Sequence, residues 1–370
     1  MLMVNNSIRQ VQNLAQLSLL EATASIRNKV FGTTGILGCK PINVTIEVTN
    51  RCSLRCQMCG IWKAVSQDEV GIEEWIRIID VLKKWLGTFK LTITGGEPFI
   101  KPGIWQLLRH CISINLPVVV ITNGYSLSTR HLHQLSTLHL TQLVISLDSL
   151  IAETHDRLRG VQGAFKKTWE TLSFLIEHSR PFLLSTNTTI TENNILELGA
   201  IATRLEEMDV DRIFFQPIQG GFAVRGNTGW PYNSTLWPSS PQRVERGINS
   251  LMDAMSRGVS VAHSADEIMH FRDYLIQGPR WHRPWGCPAG HTAFYCNAFG
   301  QIRLCAPCTR NIGSAREHHP AKIWNSKEAK NERARIAACQ EACLLNCYRQ
   351  YTMKEKLQYA RQWIKIIKNT

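Results

Sequence analysis

No run of apolar residues in this 370-residue chain reaches the ~18 that a membrane-spanning helix needs, so a helical membrane span is excluded. The segment Met1 to Leu17 lacks the basic stretch followed by an apolar one that marks a secretory signal. The expected location is therefore the cytoplasm. There is also no block of five or six like charges, although Lys and Arg outnumber Asp and Glu by 42 to 29 and the formal charge is +13. Charge spread in this way reads as a solvated basic surface, with an acidic partner (a phosphorylated sugar, a nucleotide or an acidic peptide) as the alternative. The apolar share, 44%, is ordinary for a chain that buries a full core. The length suits two domains, or one large α/β domain with an extension.

What the chain does have is cysteine, twelve in all. Disulfides are disfavoured in a reducing compartment, where clustered cysteines more often hold metal or do redox chemistry. Cys52, Cys56 and Cys59 form one cluster; Cys287, Cys296, Cys305, Cys308, Cys339, Cys343 and Cys347 form another. Cys39 and Cys111 stand apart and read as core residues, since a buried free thiol behaves as a small apolar group.

Residues 7–30 read as a helix that docks on the core. From residue 43 strands and helices alternate. Strands are expected at 44–48, 91–94, 118–121, 143–147, 183–189 and 212–216, and helices at 73–85, 102–114, 128–138, 165–178 and 195–207. The fully apolar, β-branched run Val118–Ile121 suits a strand buried on both faces. Six such steps predict an α/β fold: a partial (β/α)6 barrel with a parallel sheet, not a closed eight-stranded one. Residues 220–240, with Gly, Pro, Asn and Trp230, Tyr232 and Trp237, read as a loop over the barrel mouth, followed by a helix at 242–257. Residues 287–348 show little regular pattern beyond two short strands, Ala293–Cys296 and Gln301–Leu304, and the tail 354–368 is a basic helix. The division expected is an N-terminal helical extension (1–42), a barrel (43–219), a linker and covering segment (220–286), a small cysteine-rich C-terminal iron–sulfur extension (287–348) and a terminal helix (349–370).

Cys52-x3-Cys56-x2-Cys59 follows the first strand. Thiolates are soft ligands for iron–sulfur clusters or zinc. Three of them grip three corners of a cubane and leave the fourth iron open. Zinc would want a fourth ligand in paired spacing, and none is obvious near Cys59. The motif resembles that of the radical S-adenosylmethionine (SAM) superfamily, with Met58 as its bulky residue before the last cysteine. Gly95-Gly96-Glu97-Pro98, 36 residues after Cys59, matches the superfamily's GGEP segment. The resemblance implies that this segment wraps the amino end of the methionine moiety, where glycines permit close backbone approach. It further implies cofactor contacts from Asn123, from Ser146 and Asp148 of an S-x-D segment near the ribose, and from Asn187 and Gln216. In the element His155-Asp156-x2-Arg159-Gly160, it implies that Arg159 pairs with the methionine carboxylate. For Ser146, Asp148 and Arg159 the alternative is helix capping and surface pairing.

Cys287-x12-Gly300-x4-Cys305 resembles the opening of the SPASM/Twitch extension, which holds auxiliary [4Fe–4S] clusters. The chain then departs from the SPASM pattern, ending Cys339-x3-Cys343-x3-Cys347. One auxiliary cluster is expected, held by Cys287, Cys305 and two of Cys339, Cys343 and Cys347, which would lie side by side if helical. A second cluster using Cys296 and Cys308, and a structural zinc site, are alternatives. Otherwise Cys296 and Cys308 are spare thiols, either packed or serving as hydrogen-atom donors to a substrate radical.

The resemblance implies a [4Fe–4S] cluster that cleaves SAM, and a 5′-deoxyadenosyl radical that takes a hydrogen atom from substrate. The substrate expected is a ribosomally made peptide, epimerised, cross-linked or oxidised. A small metabolite such as a sugar or aminocyclitol is the second reading. A one-electron donor such as flavodoxin or ferredoxin is implied. Residues 1–42 read as too short for a leader-binding domain, so a separate leader-peptide-binding protein is a further expected partner. A reading from another class, a non-catalytic zinc module that binds nucleic acid, requires the GGEP match to be coincidence.

Overall fold

The computed structural model describes residues 40–64, 66–219, 232–284, 287, 289–307 and 310–345. The expected helices at 7–30 and 354–368 lie outside these, as do Cys39, Cys308, Cys347 and Trp230.

Six strands, β1 (Asn43–Glu47), β2 (Lys90–Thr94), β3 (Val118–Thr122), β4 (Gln142–Ser146), β5 (Leu183–Ile190) and β6 (Arg212–Pro217), pair in parallel in chain order. Between them run α1 (Ile72–Leu86), α2 (Ile104–Ser113), α3 (Thr129–Ser136), α4 (Ala152–Arg159), α5 (Ala164–Glu177) and α6 (Leu198–Glu207). Helix α1 shows why: Ile72, Trp75, Ile78, Ile79 and Leu82 recur at helical spacing and are buried. Helix α4 was not expected as a helix, because its eight residues AETHDRLR carry little apolar pattern. It closes on Gly160, which adopts a left-handed conformation at φ 69°.

The sheet does not stop at six strands. β7 (Ala293–Cys296) joins the free edge of β1 in parallel, and β8 (Gln301–Arg303) and β9 (Gly313–Ser314) continue antiparallel, giving the order β6-β5-β4-β3-β2-β1-β7-β8-β9. The C-terminal segment thus caps the edge of β1, which would otherwise expose unpaired backbone. Further helices are α7 (Pro241–Ser256), α8 (Ala265–Gln277), α9 (Pro320–Trp324) and α10 (Lys327–Ala337). The last two correct the expectation of an irregular 287–348. Helix α8, also unexpected, opens on a Ser264/Glu267 capping box.

Strand alternation sorts the residues by face. Val44, Ile46, Leu91, Ile93, Val118, Val120, Leu143, Ile145, Leu184, Ile213 and Phe215 are fully buried and share one face through the strand register. The opposite face carries Thr45, Glu47, Thr92, Thr94, Ser146, Asn187, Thr189 and Gln216, all half-buried. One face is oil for the helix layer; the other is a polar, partly open concavity. An aromatic group of Tyr232, Trp237, Tyr274 and Trp281, with ring centroids 4.7, 5.4 and 5.7 Å apart in turn, packs near the end of β6, where the Tyr274 hydroxyl donates to Ile218 O (2.9 Å).

Candidate active site

The loop from Val48 to Cys59 leaves the C-terminal end of β1. Its entry is pinned by Glu69, which accepts from Thr49 Oγ1 (2.8 Å) and Asn50 N (2.6 Å) and pairs with Lys101 (3.2 Å). No sequence motif pointed to Glu69. The GGEP turn crosses directly beneath this loop, with Gly96 N donating to Thr49 O (2.7 Å) and Glu97 N to Arg51 O (2.8 Å). A Cβ on Gly95 would stand 2.3 Å from Thr49 O, and one on Gly96 2.1 Å from Arg51 O. Only glycine fits either position. The two glycines bring the loop of thiols against the end of β2.

Glu97 corrects the expectation of a cofactor-facing group: its side chain is fully buried. It accepts from Phe99 N (3.1 Å), Thr122 Oγ1 (2.8 Å) and Asn123 N (2.8 Å), clamping the end of β3 to the end of β2. Burial pushes its carboxyl up to about 7 against these three donors. Pro98 opens the short 3-10 turn that follows and is buried with Phe99. Asn123, so positioned, aims its amide at Cys52 Sγ (3.7 Å).

Asp148 is fully buried; its Oδ1 accepts from Thr189 N (3.0 Å) and its Oδ2 lies 2.8 Å from Arg159 Nε, a close ion pair without an aligned hydrogen bond. The carboxylate that Arg159 meets is therefore the protein's own. The same guanidinium reaches Cys56 Sγ (3.8 Å), and the Arg159 carbonyl accepts from Arg55 N (2.9 Å). Burial opposes the Arg159 charge, and Asp148 and Cys56 hold it in place. Asn194, unmarked by any motif, fixes the turn by donating to Asp148 O (2.7 Å) and Thr189 O (2.8 Å). Within the same element, Asp156 caps α5 by accepting from Gly163 N (2.6 Å) and Phe165 N (2.7 Å). His155 Nδ1 accepts from Asp148 N (3.2 Å), and burial holds the ring neutral, its pKa lowered to about 3.

The three thiols sit where free thiolates are disfavoured. Burial is the first cause in each case, raising Cys52 and Cys56 and pushing Cys59 up to about 11. Each thiolate would also disfavour its neighbours, so the three share one locality. Such a pocket yields thiolates when a metal centre replaces the protons. Among the described residues no three Cys, His, Asp or Glu converge on a single ion. A cubane, whose ligands are separated by its own edges, suits three thiols spread along a loop, and the Asn123 and Arg159 donors suit its sulfur ligands. Met58 is buried between Gln57 and Cys59. Ser146 and Asn187 stand side by side in register on the polar face. Gln216 instead turns to the C-terminal segment, donating to Leu344 O (2.6 Å).

The later thiols are more scattered. Cys287 and Cys343 are half-buried, Cys305 is buried and Cys339 exposed. Cys305 and Cys339 both neighbour Arg335, whereas Cys343 neighbours Tyr274. Helix α10 ends at Ala337, so Cys339 and Cys343 do not share a helical face as proposed from their spacing. Cys296 pairs with Ile46 on the helix-covered face and is 1% exposed. That placement removes it from the polar concavity and corrects its reading as a hydrogen-atom donor. Cys111 is a core residue, as expected.

Comparison with known proteins agrees with this geometry. Residues 46–204 match the model of the Radical SAM superfamily, a span that contains every expected residue of the first site except Gln216. The chain is 26% identical over 291 residues to the antilisterial bacteriocin subtilosin biosynthesis protein AlbA of Bacillus subtilis, covering 77% of this chain and 60% of that protein. It is 25% identical over 313 residues to the PqqA peptide cyclase of Bradyrhizobium diazoefficiens, covering 82% and 78%. The fold matches that of Streptococcus suis SuiB, solved with S-adenosylmethionine, at a TM-score of 0.63 and 17% identity over 79% of this chain and 67% of SuiB. No helix among the described residues is long and apolar enough to cross a membrane. The family model and the thiol loop, GGEP turn and strand-end residues it spans lead to one assignment: residues 46–204 form a Radical SAM superfamily domain.

Proposed function

We propose that this protein cleaves S-adenosylmethionine reductively and directs the resulting 5′-deoxyadenosyl radical at a ribosomally made peptide. The observation that carries this reading is the convergence, at one end of one sheet, of the three-thiol loop, the GGEP turn and the Asp148–Arg159 pair. The peptide class is supported by two relatives, a bacteriocin biosynthesis protein and a peptide cyclase.

When bound, the [4Fe–4S] cluster supplies the electron that breaks the sulfur–C5′ bond of S-adenosylmethionine. Cys52, Cys56 and Cys59 would hold it as thiolates, and the N–H groups of Asn123 and Arg159 would stabilise the charge on two of those sulfurs. Gly95 and Gly96 keep the backbone of the GGEP turn against the loop, and Asp148 keeps Arg159 in place. Ser146, Asn187 and Thr189 offer polar groups along the concave face, where cofactor and substrate would meet. Cys287 and Cys305, with two of Cys339, Cys343 and Cys347, would hold an auxiliary cluster. Cys308 keeps its candidacy as a hydrogen-atom donor. Epimerisation, cross-linking and oxidation are the reactions open to a peptide radical in such a site, with a separate leader-binding protein delivering the peptide.

The test is anaerobic reconstitution with iron and sulfide, reduction with dithionite and addition of S-adenosylmethionine. We expect 5′-deoxyadenosine and about eight irons per chain, as two [4Fe–4S] clusters require. Cys56→Ala should abolish 5′-deoxyadenosine while keeping roughly half the iron. Zinc in place of iron, with no 5′-deoxyadenosine, refutes the reading. Deuterium passing from a labelled peptide into 5′-deoxyadenosine identifies the substrate class; passage from a sugar instead overturns the peptide assignment.

A further inference from the structure

The loop that carries the three thiols also carries an unusual charge. From residue 51 to residue 67 it has Arg51, Arg55 and Lys63 and no carboxylate. All three cations are exposed, and none forms an ion pair with an acidic group among the described residues. Glu69, which closes the base of the loop, is already engaged with Lys101 and the backbone.

Two of the cations are organised around one aromatic ring. Trp62 lies in the short 3-10 turn Ile61–Lys63 just after Cys59. The Arg55 guanidinium sits 5.3 Å and the Lys63 ammonium 5.0 Å from its ring centroid. The indole N–H donates to Cys56 O (3.3 Å), and Arg55 Nη1 donates to Cys52 O (2.7 Å) and Leu54 O (2.9 Å). The aromatic ring and a fixed cation are thus each one hydrogen bond from the backbone of a thiol ligand. A half-buried aromatic between two exposed cations that have no carboxylate partner among the described residues is the composition of an interface centre, not of a solvated face. The partner it fits is negatively charged. Its place on the loop of thiols fits a partner whose business is with the cluster.

We propose that the exposed face of the Arg51–Lys63 loop, centred on Trp62 between Arg55 and Lys63, is the docking surface for an acidic one-electron carrier protein. The inference rests on the radical-enzyme reading above. One electron leaves the carrier's reduced cofactor and enters the cluster; no bond is made or broken and no proton moves. The loop positions the carrier, and its positive charge steers the encounter, an effect that salt suppresses.

The test compares wild type with Lys63→Gln and Lys63→Glu, because Lys63 touches neither a thiol ligand nor the GGEP turn. Cluster reduction by reduced flavodoxin is followed by stopped-flow bleaching at low ionic strength. Flavodoxin binding to the protein, cluster-loaded and cluster-free, is measured by titration calorimetry. We expect the reduction rate and affinity to fall roughly threefold for Gln and tenfold for Glu, as charge steering predicts. The gap should close at about 0.5 M salt, where the Debye length is only a few Å. Reduction by photoreduced deazariboflavin, an uncharged small donor, should not change. Equal flavodoxin rates and affinities in all three proteins overturn the docking surface while leaving the enzyme reading intact. A failure to release 5′-deoxyadenosine even with deazariboflavin refutes the enzyme reading itself. A parallel loss with both donors shows a damaged cluster loop and refutes docking as the role of Lys63.

Discussion

Glu97 offers a test of the site that needs neither iron nor substrate. Its carboxyl is fully buried, receives three hydrogen bonds and has its pKa raised to about 7, from 4.5 for an ordinary glutamate. Between those values the folded state holds a proton that the unfolded chain has released. Raising the pH through this window therefore costs the folded state, and the stability present below the unfolded pKa is lost as the pH passes the folded one. At about 1.4 kcal/mol per pH unit, the window is worth ~3 kcal/mol. Glu97→Gln removes the titration. It also turns an N–H2 group toward at least one of three donors, so against the protonated wild type it costs about 1–3 kcal/mol. The measurement is urea denaturation of both proteins from pH 5 to pH 8. The substitution should be most costly at pH 5, and the gap between the proteins should narrow by ~3 kcal/mol at pH 8 as wild type weakens. All other titrating groups cancel in the difference. Parallel profiles would mean that the three donors keep Glu97 ionised throughout and outweigh its burial, and would refute the reasoning.

Three further outcomes follow from the same geometry. Arg159→Met strands the buried Asp148 carboxylate and should destabilise the protein by about 3–5 kcal/mol in thermal or urea denaturation, whereas the double variant with Asp148→Asn should recover part of that loss. Gly96→Ala forces a Cβ to within 2.1 Å of Arg51 O, so the cluster loop must leave the sheet, and iron bound per chain after reconstitution should fall by roughly half, to the auxiliary share. Gln219 accepts from Leu344 N (3.0 Å) and Gln216 donates to Leu344 O (2.6 Å); the double alanine variant should speed amide exchange at Leu344 by roughly tenfold or more while leaving the β-strand core unchanged.

The alternation of strand and helix patterns, and the apolar Val118–Ile121 run, were enough to set six parallel strands in order, because a strand buried on both faces has no other use for such a run. The cysteine spacing and GGEP were enough to mark the cluster loop and its neighbour, since chemistry of that kind needs those residue types close together in the chain. What they could not show is which way each side chain turns. Glu97 looked like a ligand-facing carboxylate and is a buried clamp, because three donors from β3 and the turn converge on it only after the strands pair. The pairing of Arg159 with Asp148, eleven residues earlier in the chain, had no mark in the sequence, because it forms only when α4 folds back on the thiol loop. Cys296 reads in one dimension as a spare thiol near the site, but its register with Ile46 turns it to the apolar face, as the two-residue period of a strand requires. The joining of β7 to β1 was equally illegible, for a pairing across some 250 residues leaves no mark on either four- or five-residue segment. The local code of this chain marked its six parallel strands, most of the helices between them and the thiols of its first loop; long-range packing alone decided which polar groups hold the frame and which face the cavity.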